Sequence, residues 1–188
     1  MEQHKMIIFS APSGSGKSTI INYLLQKGYP IEFSISATTR SPRGTEKEGV
    51  EYYFLPLNEF KKKIKNNEFL EYEEVYENRF YGTLHSECER IWSQGKTIVF
   101  DVDVAGGIRL KELFGDTALS VFIQLPSIEE LRLRLEKRKT DTEEEIEKRI
   151  TKASFEVKFS YMFDNIIVND NLEQACKEAE KLISNFLK

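Results

Sequence analysis

Eight residues between an apolar run and a helical pattern constrain this chain more than anything else in it. Met6-Ile7-Ile8-Phe9-Ser10 predicts a short buried strand. Ser18 to Lys27 then places Ile20, Ile21, Leu24 and Leu25 on one helical face before Gly28 ends the period. Between the two lies Ala11-Pro12-Ser13-Gly14-Ser15-Gly16-Lys17-Ser18, followed by Thr19. It fits the pattern xxxxxGK[ST], with alanine where the strict pattern begins with glycine. In such a loop, glycines let successive backbone N–H groups turn inward around phosphate oxygens, and the following helix offers its positive N-terminus. Lysine bridges phosphates and the serine hydroxyl ligates magnesium, so Lys17 and Ser18 are the candidates for those two tasks. Ala11 is tolerable at its position if its φ is negative.

The rest of the composition narrows the possibilities. With 188 residues the chain can bury a core without a disulfide or a structural metal. Cys88 and Cys176 are far apart, and with only His4 and His85 no zinc ligand set can be assembled, so both thiols read as reduced and incidental. Twenty-seven basic against 31 acidic residues give a net charge of −4, which argues against a general electrostatic grip on nucleic acid or on an anionic membrane. No apolar run is long enough for a signal peptide or a membrane span, so a cytoplasmic location is expected. No low-complexity stretch or internal repeat appears, and the sequence does not set the oligomeric state.

Three further apolar runs, Thr97 to Val102, Ala118 to Leu125 and Asn165 to Val168, do not alternate, as expected for strands covered on both faces of a parallel sheet. Ser127-Ile128-Glu129-Glu130 and Thr142-Glu143-Glu144-Glu145 each have the capping-box spacing, so helices should begin just after Ser127 and Thr142. A last helix should start near Asn171, with Leu172, Ala175, Ala179, Leu182 and Phe186 as its buried stripe. The stretch from about Phe33 to Trp92 differs in texture. It holds most of the tyrosines, the turn-prone Ser41-Pro42-Arg43-Gly44 and a strand-like Glu51 to Leu57, and reads as an inserted small α+β region. The fold expected is α/β: a phosphate-loop parallel sheet flanked by helices and joined by right-handed crossovers, with that insert and a helical lid.

Two other patterns point to phosphate chemistry and are weaker alone. Thr97 to Asp101 is a strand ending in a carboxylate, where a magnesium-side acid belongs, with Asp103 two residues on; apolar strands also end in Asp simply to start a turn. Arg40 and Arg43 stand three apart in a polar turn, and two planar guanidinium forks can clamp one phosphate dianion, although such a pair can equally be two solvated surface arginines.

Taken with Ser10 to Thr19, the motifs SATTRSPRG (Ser36 to Gly44), EYYF (Glu51 to Phe54), EFLEY (Glu68 to Tyr72), FYGT (Phe80 to Thr83), DVDVAGG (Asp101 to Gly107) and IVND (Ile167 to Asp170) make the chain similar to guanylate kinases in order and spacing. The resemblance covers essentially the whole chain, with alanine at 11 and 105 and threonine at 83 as departures. It implies one domain over residues 1–188: a core of 1–32, 95–125 and 160–188, a GMP-binding insert of 33–94 and a lid region of 126–159. It implies transfer of the γ-phosphoryl of ATP to GMP, with dGMP as a further acceptor and Mg2+ as cofactor. ATP would lie against Ala11 to Thr19 and near Asn169, and the metal beside Ser18 and Asp101. Arg40, Arg43, Tyr52 and Tyr81 match the residues that hold the GMP phosphate; Ser36, Glu71, Thr83 and Asp103 match those around guanine. Lys17, Arg40, Arg134, Arg138 and Arg149 would face the transferring phosphoryl, the last three from the lid and its flanks.

Chemistry makes independent sense of Glu71. Guanine offers N1–H and a 2-amino group to one carboxylate, whereas adenine has a bare N1 and would leave that carboxylate desolvated and unpaired, a difference that can discriminate by about 10⁴-fold. Read without the family, Glu71 is one more acid in the run with Glu73 and Glu74. Tyr72 and Tyr76 read as packing residues. Between Leu131 and Arg149, Lys139-Thr140-Asp141 reads as a break between two helices, suited to a flap that excludes water. Two other functions remain open on the same residues: a kinase for a different phosphorylated acceptor, and a non-catalytic domain that takes phosphopeptides at Arg40 and Arg43.

Overall fold

The computed structural model describes residues 4–138 and 142–188, apart from the side chains of Tyr76 and Arg138. In chain order its elements are β1 (Met6–Ser10), α1 (Lys17–Leu25), β2 (Ile31–Phe33), β3 (Ala37–Thr38), β4 (Tyr53–Phe54), α2 (Leu57–Lys65), β5 (Phe69–Tyr76), β6 (Arg79–Leu84), α3 (His85–Trp92), β7 (Thr97–Asp101), α4 (Val104–Phe114), β8 (Ala118–Gln124), α5 (Ile128–Arg138), α6 (Glu143–Glu156), β9 (Asn165–Val168) and α7 (Leu172–Leu187). The expected break at Lys139-Thr140-Asp141 lies outside the described residues. The chain divides into two compact units, residues 1–29 with 99–188, and residues 30–98.

In the first unit β1 pairs with β8, and β8 with β9, all in parallel. Met6 to Phe9 are wholly buried, as the unbroken apolar run requires of a central parallel strand. β9 departs from that expectation. It ends the sheet, and Ile166 and Val168 stand 39% and 45% exposed while Ile167 between them is buried, so only one of its faces is covered. The buried stripe of α7 is also turned from the expected one. Ala175, Cys176, Ala179 and Ile183 face inward while Leu172, in the first turn, is exposed; burial follows the 3.6-residue period through the middle of the helix rather than its largest apolar residues.

Both capping signals are realised. The Glu130 N–H donates to the Ser127 hydroxyl at 3.1 Å, and Thr142 and Glu145 cap one another reciprocally. The helices they start pack together through Leu131, Leu135, Ile146, Ile150 and Ala153. Asn171 caps α7 by accepting from the Gln174 N–H.

The second unit holds a four-stranded sheet in the order β4-β3-β6-β5, antiparallel from β3 through β6 to β5. Its core is Ala37, Phe60, Phe69 and Phe80, with Phe60 and Phe69 stacked at 4.2 Å. The strand expected over Glu51 to Leu57 shrinks to Tyr53 and Phe54: Pro56, which has no N–H for a sheet, precedes α2 directly. Tyr72, taken from sequence as a packing residue, is 40% exposed, leaning on Phe69 at 6.1 Å.

Candidate functional site

The loop between β1 and α1 closes on itself through the Ser15 N–H, which donates to the Pro12 carbonyl at 3.1 Å. Gly16 caps α1 at φ +91°, and a Cβ there would lie 2.4 Å from the amide nitrogen of Asn169. Glycine is therefore required twice over, once by dihedral and once by space. The same Asn169 amide donates to the Ser15 carbonyl at 2.7 Å, and its residue is 1% exposed. Asn169, expected from the sequence to lie near adenine, is in the structure a buried brace beneath the loop. The described non-glycine residues with positive φ are Asn67 and Asn78, so Ala11 lies in ordinary backbone space, and its Cβ meets no dihedral conflict.

Loop and strand ends enclose a cavity of about 440 Å³, lined by Ala11, Ser13 to Thr19, Asp101 to Asp103, Arg149, Lys152 and Glu156. The Lys17 ammonium is held there by the Asp101 carboxylate and by the Val102 carbonyl at 3.3 Å. Asp103 spends one carboxylate oxygen as the cap of α4, accepting from the Gly106 N–H at 2.7 Å. Arg149 donates to the Ser13 hydroxyl at 2.7 Å, so it reaches the loop from α6. Arg134 is tied to Glu130 at 2.7 Å and to the Asn169 carbonyl at 3.1 Å. The side chain of Arg138, expected from the sequence beside Arg134 and Arg149, lies outside the described residues.

Lys152 and Glu156 were missed by the sequence reading. They stand three and seven residues after Arg149, so helical period places all three on one face of α6, and that spacing was the available signal. Burial pushes the Glu156 carboxyl above its usual range, against the pull of Lys152 at 3.6 Å. Ser18 and Asp101 present hard oxygen donors to the same cavity, and among the described residues no three His, Cys, Asp or Glu side chains gather to cage an ion. That donor set fits Mg2+, which is held by one or two protein oxygens together with phosphate and water.

The second unit gathers the other predicted residues. Arg40 clasps Glu46 with both terminal nitrogens, lies 4.7 Å above the Tyr52 ring, and Tyr52 meets Tyr81 edge-on at 5.9 Å. Glu46, with Arg40 beside it, holds the guanidinium well above its ordinary range and so always charged. Arg40 and Arg43 line a cavity of about 480 Å³ with Thr39, Ser41, Pro42, Glu77, Asn78 and Arg79. Glu71 and Thr83 face each other across β5 and β6, and the Thr83 hydroxyl donates to the Glu71 carboxylate at 2.8 Å. Ser36 lies in the link between β2 and β3, its carbonyl accepting from the Tyr53 N–H at 2.9 Å. Glu46 was the further residue that the sequence did not single out, because a lone acid in a charged loop carries no pattern.

Residues 3–186 match the family model described as guanylate kinase. The chain belongs to the guanylate kinase family. It is 59% identical to a guanylate kinase of Bacteroides thetaiotaomicron over 97% of this chain and 90% of that protein. A guanylate kinase of Porphyromonas gingivalis is 52% identical, over 97% and 98%. Among solved structures, a guanylate kinase from Anaplasma phagocytophilum superposes with a TM-score of 0.76 at 30% identity, covering 96% of this chain and 85% of that one. The α/β fold expected from the sequence, a parallel sheet with flanking helices, is the one observed, and the structure adds a second small sheet within residues 30–98. Among the described residues, no helix is long and apolar enough to cross a membrane.

Proposed function

We propose that the chain transfers the γ-phosphoryl of ATP to GMP, giving ADP and GDP. The single observation that carries this reading is the meeting of Lys17, Ser18, Asp101 and Arg149 around one cavity of about 440 Å³ on an intact glycine loop. The loop N–H groups and the N-terminus of α1 hold the ATP phosphates, and Lys17 leaves Asp101 to bridge them. When bound beside Ser18 and Asp101, Mg2+ neutralises charge on the phosphate oxygens. A GMP phosphate oxygen attacks the γ-phosphorus, the bond to the β-bridging oxygen breaks, and ADP leaves. No general base is needed, since the attacking oxygen is already anionic. Arg134, Arg138 and Arg149 stabilise the charge that spreads over the moving phosphoryl and keep water from it.

On the acceptor, Arg40, Arg43, Tyr52 and Tyr81 grip the phosphate dianion by paired guanidinium donors and phenolic hydroxyls. Glu71 accepts from guanine N1–H and the 2-amino group, with Ser36, Thr83 and Asp103 completing the contacts to the base. None of these roles uses the ribose 2′-hydroxyl, so dGMP serves as well. We place the reaction in the cytoplasm, where its nucleotides are free.

A coupled ATP-consumption assay with GMP, dGMP, AMP, CMP and ribose 5-phosphate tests the reading. Turnover with GMP and dGMP alone is expected. Turnover with another acceptor in place of GMP, or phosphopeptide binding without any turnover, would overturn it.

A further inference from the structure

Glu87, in α3, is 2% exposed and has no part in the reaction above. Four donors converge on its carboxylate. One oxygen accepts from the Ile35 backbone N–H at 2.9 Å and Arg90 Nη2 at 2.8 Å; the other accepts from the Tyr53 hydroxyl at 3.0 Å and Arg90 Nε at 2.9 Å. A charge this deep requires a partner and satisfied lone pairs, and the bidentate guanidinium supplies both. Arg90 is fixed in turn by Glu32, which also takes Lys96.

The two donors other than Arg90 are what give this cluster a consequence. Ile35 precedes Ser36 in the link between β2 and β3, where its N–H has no strand partner, and the Glu87 carboxylate stands in for one. Tyr53 follows Tyr52, and its own N–H donates to the Ser36 carbonyl. One carboxylate therefore fixes the peptide before Ser36 and the side chain after Tyr52, and Tyr52 in turn carries Arg40 on its face.

We propose that Glu87 is a positioning residue for the acceptor nucleotide, holding Ser36 and Tyr52, through Ile35 and Tyr53, in the register at which they meet guanine and the GMP phosphate; this role rests on the function proposed above. A residue that merely supported the fold would affect both substrates through lost stability. A positioning residue affects GMP selectively.

Steady-state kinetics with each substrate varied, alongside thermal unfolding, separate the two. Glu87→Gln keeps the size but turns an NH2 group toward N–H or O–H donors, so a rise in KM for GMP of about tenfold is expected, with KM for ATP within about twofold and kcat within about threefold. Tyr53→Phe removes one link only, and should raise KM for GMP by a smaller factor at near-native Tm. Glu87→Asp, which restores the charge, should recover part of the loss. An unchanged KM for GMP in folded Glu87→Gln overturns the role, as do parallel rises in both KM values that track a fall in Tm. If Glu87→Gln does not fold, Tyr53→Phe decides by the same criterion. Wild-type protein that phosphorylates no GMP removes the function and this role together, whereas normal wild-type turnover with unaffected variants removes the role alone.

Discussion

Arg40 and Glu46 form a two-pronged ion pair, Nη1 to Oε2 at 2.6 Å and Nη2 to Oε1 at 2.7 Å, and the Arg43 N–H donates to the same Oε2 at 2.8 Å. A single carboxylate thus sets the plane of one guanidinium and the backbone of the next arginine. Planar forks recognise phosphate only when correctly oriented, so Glu46 governs how this pair can present itself to a dianion.

Glu46→Gln is expected to raise KM for GMP about tenfold and leave KM for ATP nearly unchanged, as steady-state kinetics would read. The pair also has a pH signature. Arg40 holds the Glu46 carboxyl at about 2, below its ordinary 4.5. A depressed folded value means that the contribution is present in full above 4.5 and is lost as pH falls through 2. The Tm difference between wild type and Glu46→Gln should therefore be constant from pH 7 to about 5 and shrink on further acidification. A difference that grew in acid would contradict the assignment.

Glu71→Gln should narrow the preference for GMP over other acceptors. Its Oε1 already accepts from Thr83, and an amide in place of the carboxylate cannot accept from both guanine donors while keeping that bond. The ratio of kcat/KM for GMP over AMP is expected to fall by at least about 100-fold. An unaltered ratio places the base elsewhere.

Lys17→Met should reduce kcat by about 1,000-fold or more, because it removes the cation from the cradle where charge develops. Removing Mg2+ with EDTA should abolish turnover in wild type and leave the unfolding curve of nucleotide-free protein in place.

Gly16→Ala and Gly28→Ala make a matched pair. Both glycines have positive φ, +91° and +76°, but a Cβ at 16 meets Asn169 at 2.4 Å while one at 28 meets nothing within 4 Å. Urea unfolding should show a loss of about 1 kcal/mol at position 28 from dihedral strain alone. At position 16 the loss should be about 2–4 kcal/mol, accompanied by failure to bind ATP.

The covalent order of residues was sufficient for most of what near neighbours govern, though not for the early end of β4 at Pro56 or for Lys152 and Glu156 on α6. The strand, glycine loop and helix at the N-terminus, the caps at Ser127, Thr142 and Asn171, and the pairing of chemistry-bearing types in SATTRSPRG and FYGT all depend on residues within a few positions of one another, where period and side-chain type suffice. The family was legible for the same reason, since its motifs are local. What depended on residues distant in sequence was not legible. Asn169 bracing Ser15 joins positions 154 apart, the exposed face of β9 follows from what packs over the sheet, and Glu87 reaches Ile35 and Tyr53 across 52 and 34 residues. An acid buried among distant donors looks in sequence like any acid on a helix, because its desolvation and its partners arise only when the chain closes around it.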